Sequence, residues 1–295
     1  MKKSMQNKEN TGVKKNQSAE IWRQFRRNKG AMVGLTVVIM LVLIAIFADV
    51  IWDYDVDIAG INTAERLQGP SWEHPFGTDQ MGRDMLARVG YGVRYAIVIG
   101  FTAALGSVAI GLPIGMIAGY AGGKIDILVM RLVDAFDVIP GILLSILLVS
   151  VFGTNLTNLI FAMAVSSVPG ITRTSRAAVL SVRYNEYIES AKAIGASDLY
   201  IIVRHILPNC FSPILVWLTL RMGGAIISAS ALSYIGLGVP VPMPEWGALL
   251  SASKEYLLKK PYLCMFPGLV IMITVMAINL VGDGLRDAFD PKLKR

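Results

Sequence analysis

Long apolar runs constrain this chain more than any other feature. Residues 31–52, 95–120, 159–179, 213–237 and 264–281 carry almost no charge. About 20 apolar residues suffice to cross the hydrocarbon core of a bilayer as a helix. Another run, 125–152, holds Asp126, Arg131, Asp134 and Asp137 in its first turns. Its uncharged part from Val138 onward is too short to span alone, so some of these charges lie at the inner interface or face other helices. Arg131 and Asp134, three apart, can pair on one face, and Pro140 should kink the run. The expectation is an all-α integral membrane protein with six transmembrane helices. Composition agrees: 17% of residues are charged, against about 25% in a soluble domain.

The net charge of +7 does not point to nucleic acid. The bases cluster beside apolar runs, which is the positive-inside pattern of membrane proteins. Residues 1–30 form a basic tail, with Lys2, Lys3, Lys8, Lys14, Lys15, Arg23, Arg26, Arg27 and Lys29 against Glu9 and Glu20. Its start is polar enough to be disordered. Residues 21–27 read as a short interfacial helix, with Trp22 and Phe25 on one face and arginines toward lipid headgroups. About thirty polar residues precede the first apolar run with no small-residue cleavage site, so no signal peptide is expected.

The tail places the N-terminus in the cytoplasm, and residues 31–52 form the first transmembrane helix. Residues 53–93 are then extracytoplasmic, where acids outnumber bases. Residues 94–295 form a core with five more helices and a cytoplasmic C-terminus. Its second span has Gly100, Gly106, Gly111 and Gly115 for close helix packing. In the outer loop 239–262, Trp246, Tyr256 and Tyr262 suit an interfacial aromatic belt. Lys254, Lys259 and Lys260 there are placed to help dock an extracytoplasmic partner. Cys210 and Cys264 lie too far apart in this topology for a disulfide.

Between the fourth and fifth spans, residues 186–209 form a polar, mixed-charge island on the cytoplasmic side. Residues 189–194 are good helix formers, Gly195 supplies a C-cap or bend, and Pro208 should stop the helix that follows. On the outer side, His74-Pro75-Phe76-Gly77-Thr78-Asp79-Gln80-Met81-Gly82-Arg83-Asp84 reads as an ordered turn segment in which Asp79, Arg83 and Asp84 can pair locally. No spacing aims its histidine and acids at one point, so no metal site is expected. Covalent chemistry is not expected either. His74 and His205 are the only histidines, on opposite sides of the membrane, and no Gly-x-Ser-x-Gly or His-Glu-x-x-His motif is present. The Gly122-Gly123-Lys124-Ile125 stretch lacks the first glycine and the Ser/Thr of a phosphate-binding loop.

Arg221 stands out within the fifth span. At 1.5 Å rise per residue it lies roughly 12–15 Å inside, where a charge is expensive and faces the bundle interior or water. It is either a pathway residue that meets an anionic group, such as a peptide carboxylate, or a structural partner of an acid in this or a neighbouring subunit.

Glu189-Ser190-Ala191, then Gly195, then Leu207-Pro208 resembles the EAA loop of ABC importer permeases, with Ser190 in place of the usual Ala and His205 in place of an aliphatic residue. The string 74–84 with Tyr91-Gly92-Val93-Arg94 resembles the second, C-type permease of the dipeptide, oligopeptide and nickel family. So do Asp126, Met130-Arg131, Asp134 and Pro140, the stretch 231–247, and the end 282–292. The resemblance implies a type I ABC importer permease fold in a prokaryotic cell membrane. It implies that Glu186, Glu189, Ser190, Ala191, Lys192, Gly195, Ala196, Leu207 and Pro208 couple to a cytoplasmic ATPase. Implied partners are a homologous permease in a heterodimer, two ATPase subunits that bind ATP and magnesium, an extracytoplasmic substrate-binding protein, and lipid. This chain itself would hold no cofactor. At one position the family commonly has Glu where this chain has Ala229. Eight residues from Arg221 on a similar helix face, Ala229 joins it as a pathway candidate. The implied function is half of a translocation pathway for di- or oligopeptides. The alternatives are a nickel or other small-solute permease of the same family, or an ATP-independent secondary transporter coupled through Asp134 or Asp137.

Overall fold

Each long apolar run becomes a helix, and a polar residue before it supplies the cap. The computed structural model describes residues 17–289, so most of the basic tail and the last residues lie outside it. Helix α1 (Gln17–Arg27) is followed by α2 (Lys29–Ile51), capped by the Asn28 side chain, which accepts from the Ala31 amide at 3.0 Å. Phe25 does not face lipid as expected. It is buried against Ala31 and Ala288, and Trp22 stacks outside it at 5.8 Å.

Helix α3 (Met85–Ala121) begins well before residue 95, because Asp84 caps it by accepting from the Ala87 amide at 2.8 Å. The segment between α2 and α3 is correspondingly shorter than 53–93. It is pinned by buried ion pairs: Asp79 accepts from Arg83 Nε at 2.8 Å and from Arg88. Asp84 pairs with His74 rather than with Arg83.

Helices α4 (Gly123–Asp137) and α5 (Gly141–Phe152) are bent by 77° to each other at the break before Pro140. Proline removes a backbone donor and clashes with the preceding turn. The expected Arg131–Asp134 pair is not made; Asp134 turns to Arg173 on the next helix, 2.8 Å away. That helix, α6 (Leu156–Val182), is the central one, packed along α3 and against α5 and α9. Gly111 and Gly115 make this approach possible. A Cβ on Gly115 would sit 2.0 Å from Ser175 Oγ and 2.3 Å from the Thr172 carbonyl.

Helix α7 (Glu186–Ala193) and the short α8 (Asp198–Ile201) lead through a π-turn, Ile202–Ile206, into α9 (Leu207–Tyr234). The stop expected at Pro208 does not occur. The wider π-turn shifts the preceding carbonyls off the proline ring, and a missing N–H costs little in the first helical turn. Helix α10 (Trp246–Ser253) is capped by Glu245, and α11 (Tyr262–Phe289) closes the bundle against α2 and α9.

The aromatic-belt expectation fails for two residues. Trp246 is 1% exposed and donates to the Val89 carbonyl at 2.9 Å, and Tyr262 is buried and donates to the Gln68 carbonyl at 2.7 Å. Trp246 ties α10 to α3, and Tyr262 ties the segment between α2 and α3 to α11.

Among the described residues, four helices, α2, α3, the α8–α9 continuum and α11, are long and apolar enough to cross a membrane, or five if the bent α4–α5 pair counts as one span. Helix α6 falls short because Ser166, Ser167, Thr172, Arg173, Thr174, Ser175 and Arg176 make its middle polar. As the central helix it meets protein rather than lipid along much of that length.

Candidate coupling platform and membrane-depth arginine

One end of the bundle carries α7 and α8 as a platform. Helix α7 is mostly polar, with an apolar footing three residues apart: Ile188 is fully buried and Ala191 is 6% exposed. That spacing puts both on one helix face. They rest on a cluster with Met116 of α3, Ile171 and Val179 of α6, and Ile201, Ile206, Cys210 and Ile214 from α8 to α9. Glu186, Glu189, Ser190, Lys192 and Gly195 are all exposed, Ile194 strongly so. Ala196 and Leu207 are half-buried, and Pro208 is exposed. Ala191 is thus a footing of the platform, and its neighbours are the face.

The turn after α7 is a Schellman cap. The Ala196 amide donates to the Ala191 carbonyl at 3.1 Å and the Gly195 amide to the Lys192 carbonyl at 3.0 Å. Gly195 has φ +82°, a left-handed conformation that glycine adopts without steric cost. Acids in the first turn and Lys192 in the last suit the helix dipole. Tyr120, at the end of α3, donates to Asp198 at 2.7 Å, and Lys192 Nζ lies 4.8 Å above its ring.

Two arginines of α6 tie α4 in beside this end. Arg173 bridges Asp134 and Asp137, and Arg176 grips Asp126. The Arg183 side chain donates to the Gly119 carbonyl at 2.8 Å. The platform is therefore in direct contact with α3, α6 and α9. Sequence reasoning missed the footing residues. The signal was present as an apolar pair, Ile188 and Ala191, at helical spacing in a polar stretch.

The two pathway candidates part company. Arg221 on α9 donates from Nε to Ser167 Oγ of α6 at 2.6 Å and stays partly exposed. Ala229 is 1% exposed in a packed cluster with Ile99, Ala103, Leu159 and Leu232. Eight residues at 3.6 per turn rotate a helix position by about 80°, enough to move Ala229 from Arg221's face into the core.

Between α2 and α3, Glu65, Glu73 and His74 place their ligand-type atoms within 4.8 Å of one another, a convergence the spacing gave no hint of. His74 Nδ1 is 2.8 Å from Asp84 Oδ2, and its Nε2 is 3.5 Å from Glu65. The hydrogen bond to Asp84 raises the imidazole pKa above its ordinary 6.5. Burial opposes the shift, and the charges of Asp84, Glu65 and Glu73 add to it.

Comparison with known proteins places these features in context. Residues 111–295 match the family described as binding-protein-dependent transport system inner membrane component. Residues 16–70 match the N-terminal TM domain of oligopeptide transport permease C. The dipeptide transport system permease protein of Alkalihalophilus pseudofirmus is 45% identical over 275 residues, 93% of this chain and 90% of that one. The glutathione transport system permease protein of Escherichia coli O6:K15:H31 is 44% identical over 279 residues, with the same coverage. Among solved structures, an inward-facing form of the MetNI methionine ABC transporter aligns with a TM-score of 0.59 at 20% identity. It covers 70% of this chain and 98% of that chain.

Proposed function

This chain belongs to the family of binding-protein-dependent transport system inner membrane components, and from that premise we propose how it works. It is a multi-pass membrane permease subunit of an ABC importer and forms half of a translocation pathway for small peptides. It pairs with a homologous permease as a heterodimer and stands on two cytoplasmic ATPase subunits, which bind ATP and magnesium and carry out the hydrolysis. An extracytoplasmic binding protein delivers cargo to the outer segment and the α10 region.

Six spans with both termini in the cytoplasm follow if α6 and the bent α4–α5 pair each cross the bilayer. Residues 1–30 are then a cytoplasmic tail, 31–52 the first span, the acidic stretch within 53–93 the outer segment, and 94–295 the core.

The observation that carries the coupling role is the platform. A short helix seated on Ile188 and Ala191 presents Glu186, Glu189, Ser190 and Lys192 outward, with Gly195 and Ala196 turning the chain back into α8 and Leu207 and Pro208 leading into α9. A partner that presses on this face pushes on α3, α6 and α9 together. ATP-driven closure of the ATPases would so rock the spans between inward- and outward-open states.

Reconstitution tests the reading. The chain with its permease partner, ATPases and binding protein should import a dipeptide only with ATP, and the chain alone should import nothing. Uptake by the chain alone would mean a secondary transporter. ATP-driven uptake of nickel but not dipeptide would move the substrate to the other branch of the family.

A further inference from the structure

Arg221 is a cation at membrane depth whose hydrogen-bonding capacity is mostly unspent. Its Nε donates to Ser167 Oγ at 2.6 Å, and that hydroxyl donates its own hydrogen bond to the Met163 carbonyl at 2.6 Å. Ser167 is buried, so the serine is a fixed acceptor that sets the arginine's direction. A guanidinium has five N–H donors; both terminal nitrogens of Arg221 lack a hydrogen-bond partner among the described residues.

Arg221 forms no salt bridge among the described residues: Asp134 and Asp137 pair with Arg173, Asp126 pairs with Arg176, Glu245 caps α10, and Asp283 of α11 is exposed. The surface around Arg221 is open: Gly170 of α6 is exposed, and Trp217, one turn before Arg221, lies partly exposed against it. A half-exposed cation at membrane depth with no counter-charge among the described residues calls for an anion from outside the chain. A planar fork of donors fits a carboxylate through two parallel hydrogen bonds.

We propose that Arg221, held in place by Ser167, binds the C-terminal carboxylate of the peptide as it crosses the membrane. This rests on the peptide-importer reading above, and it adds the chemical group that the pathway selects. The rival partner is an acid of the neighbouring permease.

The test uses the assembled importer with its binding protein in proteoliposomes, and two probes, trialanine and trialanine amide. The binding protein is common to every arm, so its own preference cancels when variants are compared. Arg221→Ala should lower trialanine uptake about tenfold or more, the scale of a lost hydrogen bond to a charged group, and leave amide uptake within about twofold. Arg221→Lys, which keeps the charge without the fork, should fall between. Equal losses for both probes, or no loss, would overturn the inference. So would failure of the complex to assemble with both Arg221→Ala and Arg221→Gln, which would show a structural ion pair with the partner permease. If the unaltered complex imports neither probe, it is the peptide-importer reading that fails.

Discussion

Arg176 on α6 holds both carboxylate oxygens of Asp126 on α4, with Nη2 2.6 Å from Oδ2 and Nε on Oδ1. The residues are 50 apart in sequence, and their pairing fixes α4 alongside the helix that supports the platform. Asp126 is 14% exposed and Arg176 31%, so solvent screens the pair only in part.

A bidentate, partly buried pair of this kind contributes about 1–3 kcal/mol. Arg176→Ala and Asp126→Ala should each lower the thermal stability of the purified complex by an amount in that range. The double variant should lose clearly less than the sum, since the second change removes an interaction already lost. Additive losses would mean that the two side chains act independently.

Ala191 and Ser190 are adjacent, yet one is the footing of α7 and the other its face. Ala191→Leu would force three more carbons between α7 and the cluster around Val179, an overpacking cost of about 1–3 kcal/mol. It should displace the platform and abolish ATP-coupled uptake while basal ATPase activity persists. Ser190→Ala should change stability by less than about 0.5 kcal/mol and leave uptake near normal. Equal effects from the two would contradict the footing.

Much of this was legible in the residues. The apolar runs located the long helices, and Pro140 the 77° break. The helix, turn and second helix expected within 186–209 are what the chain adopts, without the stop at Pro208. What was hidden depended on tertiary partners. Asp134 has Arg131 within reach on its own helix, but a stronger partner, Arg173, arrives from α6. Trp246 has the character of a belt residue until Val89 offers it an acceptor inside the bundle. Pro208 would end an isolated α-helix, and only the π-turn before it lets α9 continue. The Arg221–Ala229 spacing was misleading for a simpler reason, because two helical turns are not eight residues.

His74 gives the segment between α2 and α3 a pH-dependent strut. Its imidazole is held by Asp84, with Glu65 and Glu73 adding negative charge, and its folded pKa is raised. A raised pKa means that the folded state binds the proton more tightly than the unfolded one. The stabilisation is therefore full below about pH 6.5, the unfolded value, and is lost as pH rises through the folded value. The melting-temperature difference between the unaltered protein and His74→Gln should be largest in mildly acidic buffer and shrink toward alkaline pH. A difference that grows with pH would mean that the neutral imidazole is the stabilising form.

Gly195 offers the sharpest separation of backbone from side chain on the platform. A Cβ there would meet nothing within 4 Å, so space is not the obstacle; the φ of +82° is. An L-residue pays roughly 1–2 kcal/mol in that region, and Asn less than most because its amide bonds locally. Gly195→Asn should therefore keep the turn and retain much of the ATP-driven uptake. Gly195→Val cannot adopt the turn without strain and should release the Schellman bonds to Ala191 and Lys192, uncoupling transport with membrane insertion intact. Gly195→Asp tolerates the turn nearly as well as Asn but adds a negative charge to the exposed turn after α7. It too should abolish uptake with insertion intact. If Gly195→Asp imports normally, that turn does not meet the ATPase; if Gly195→Val does, the bend is not what couples the two.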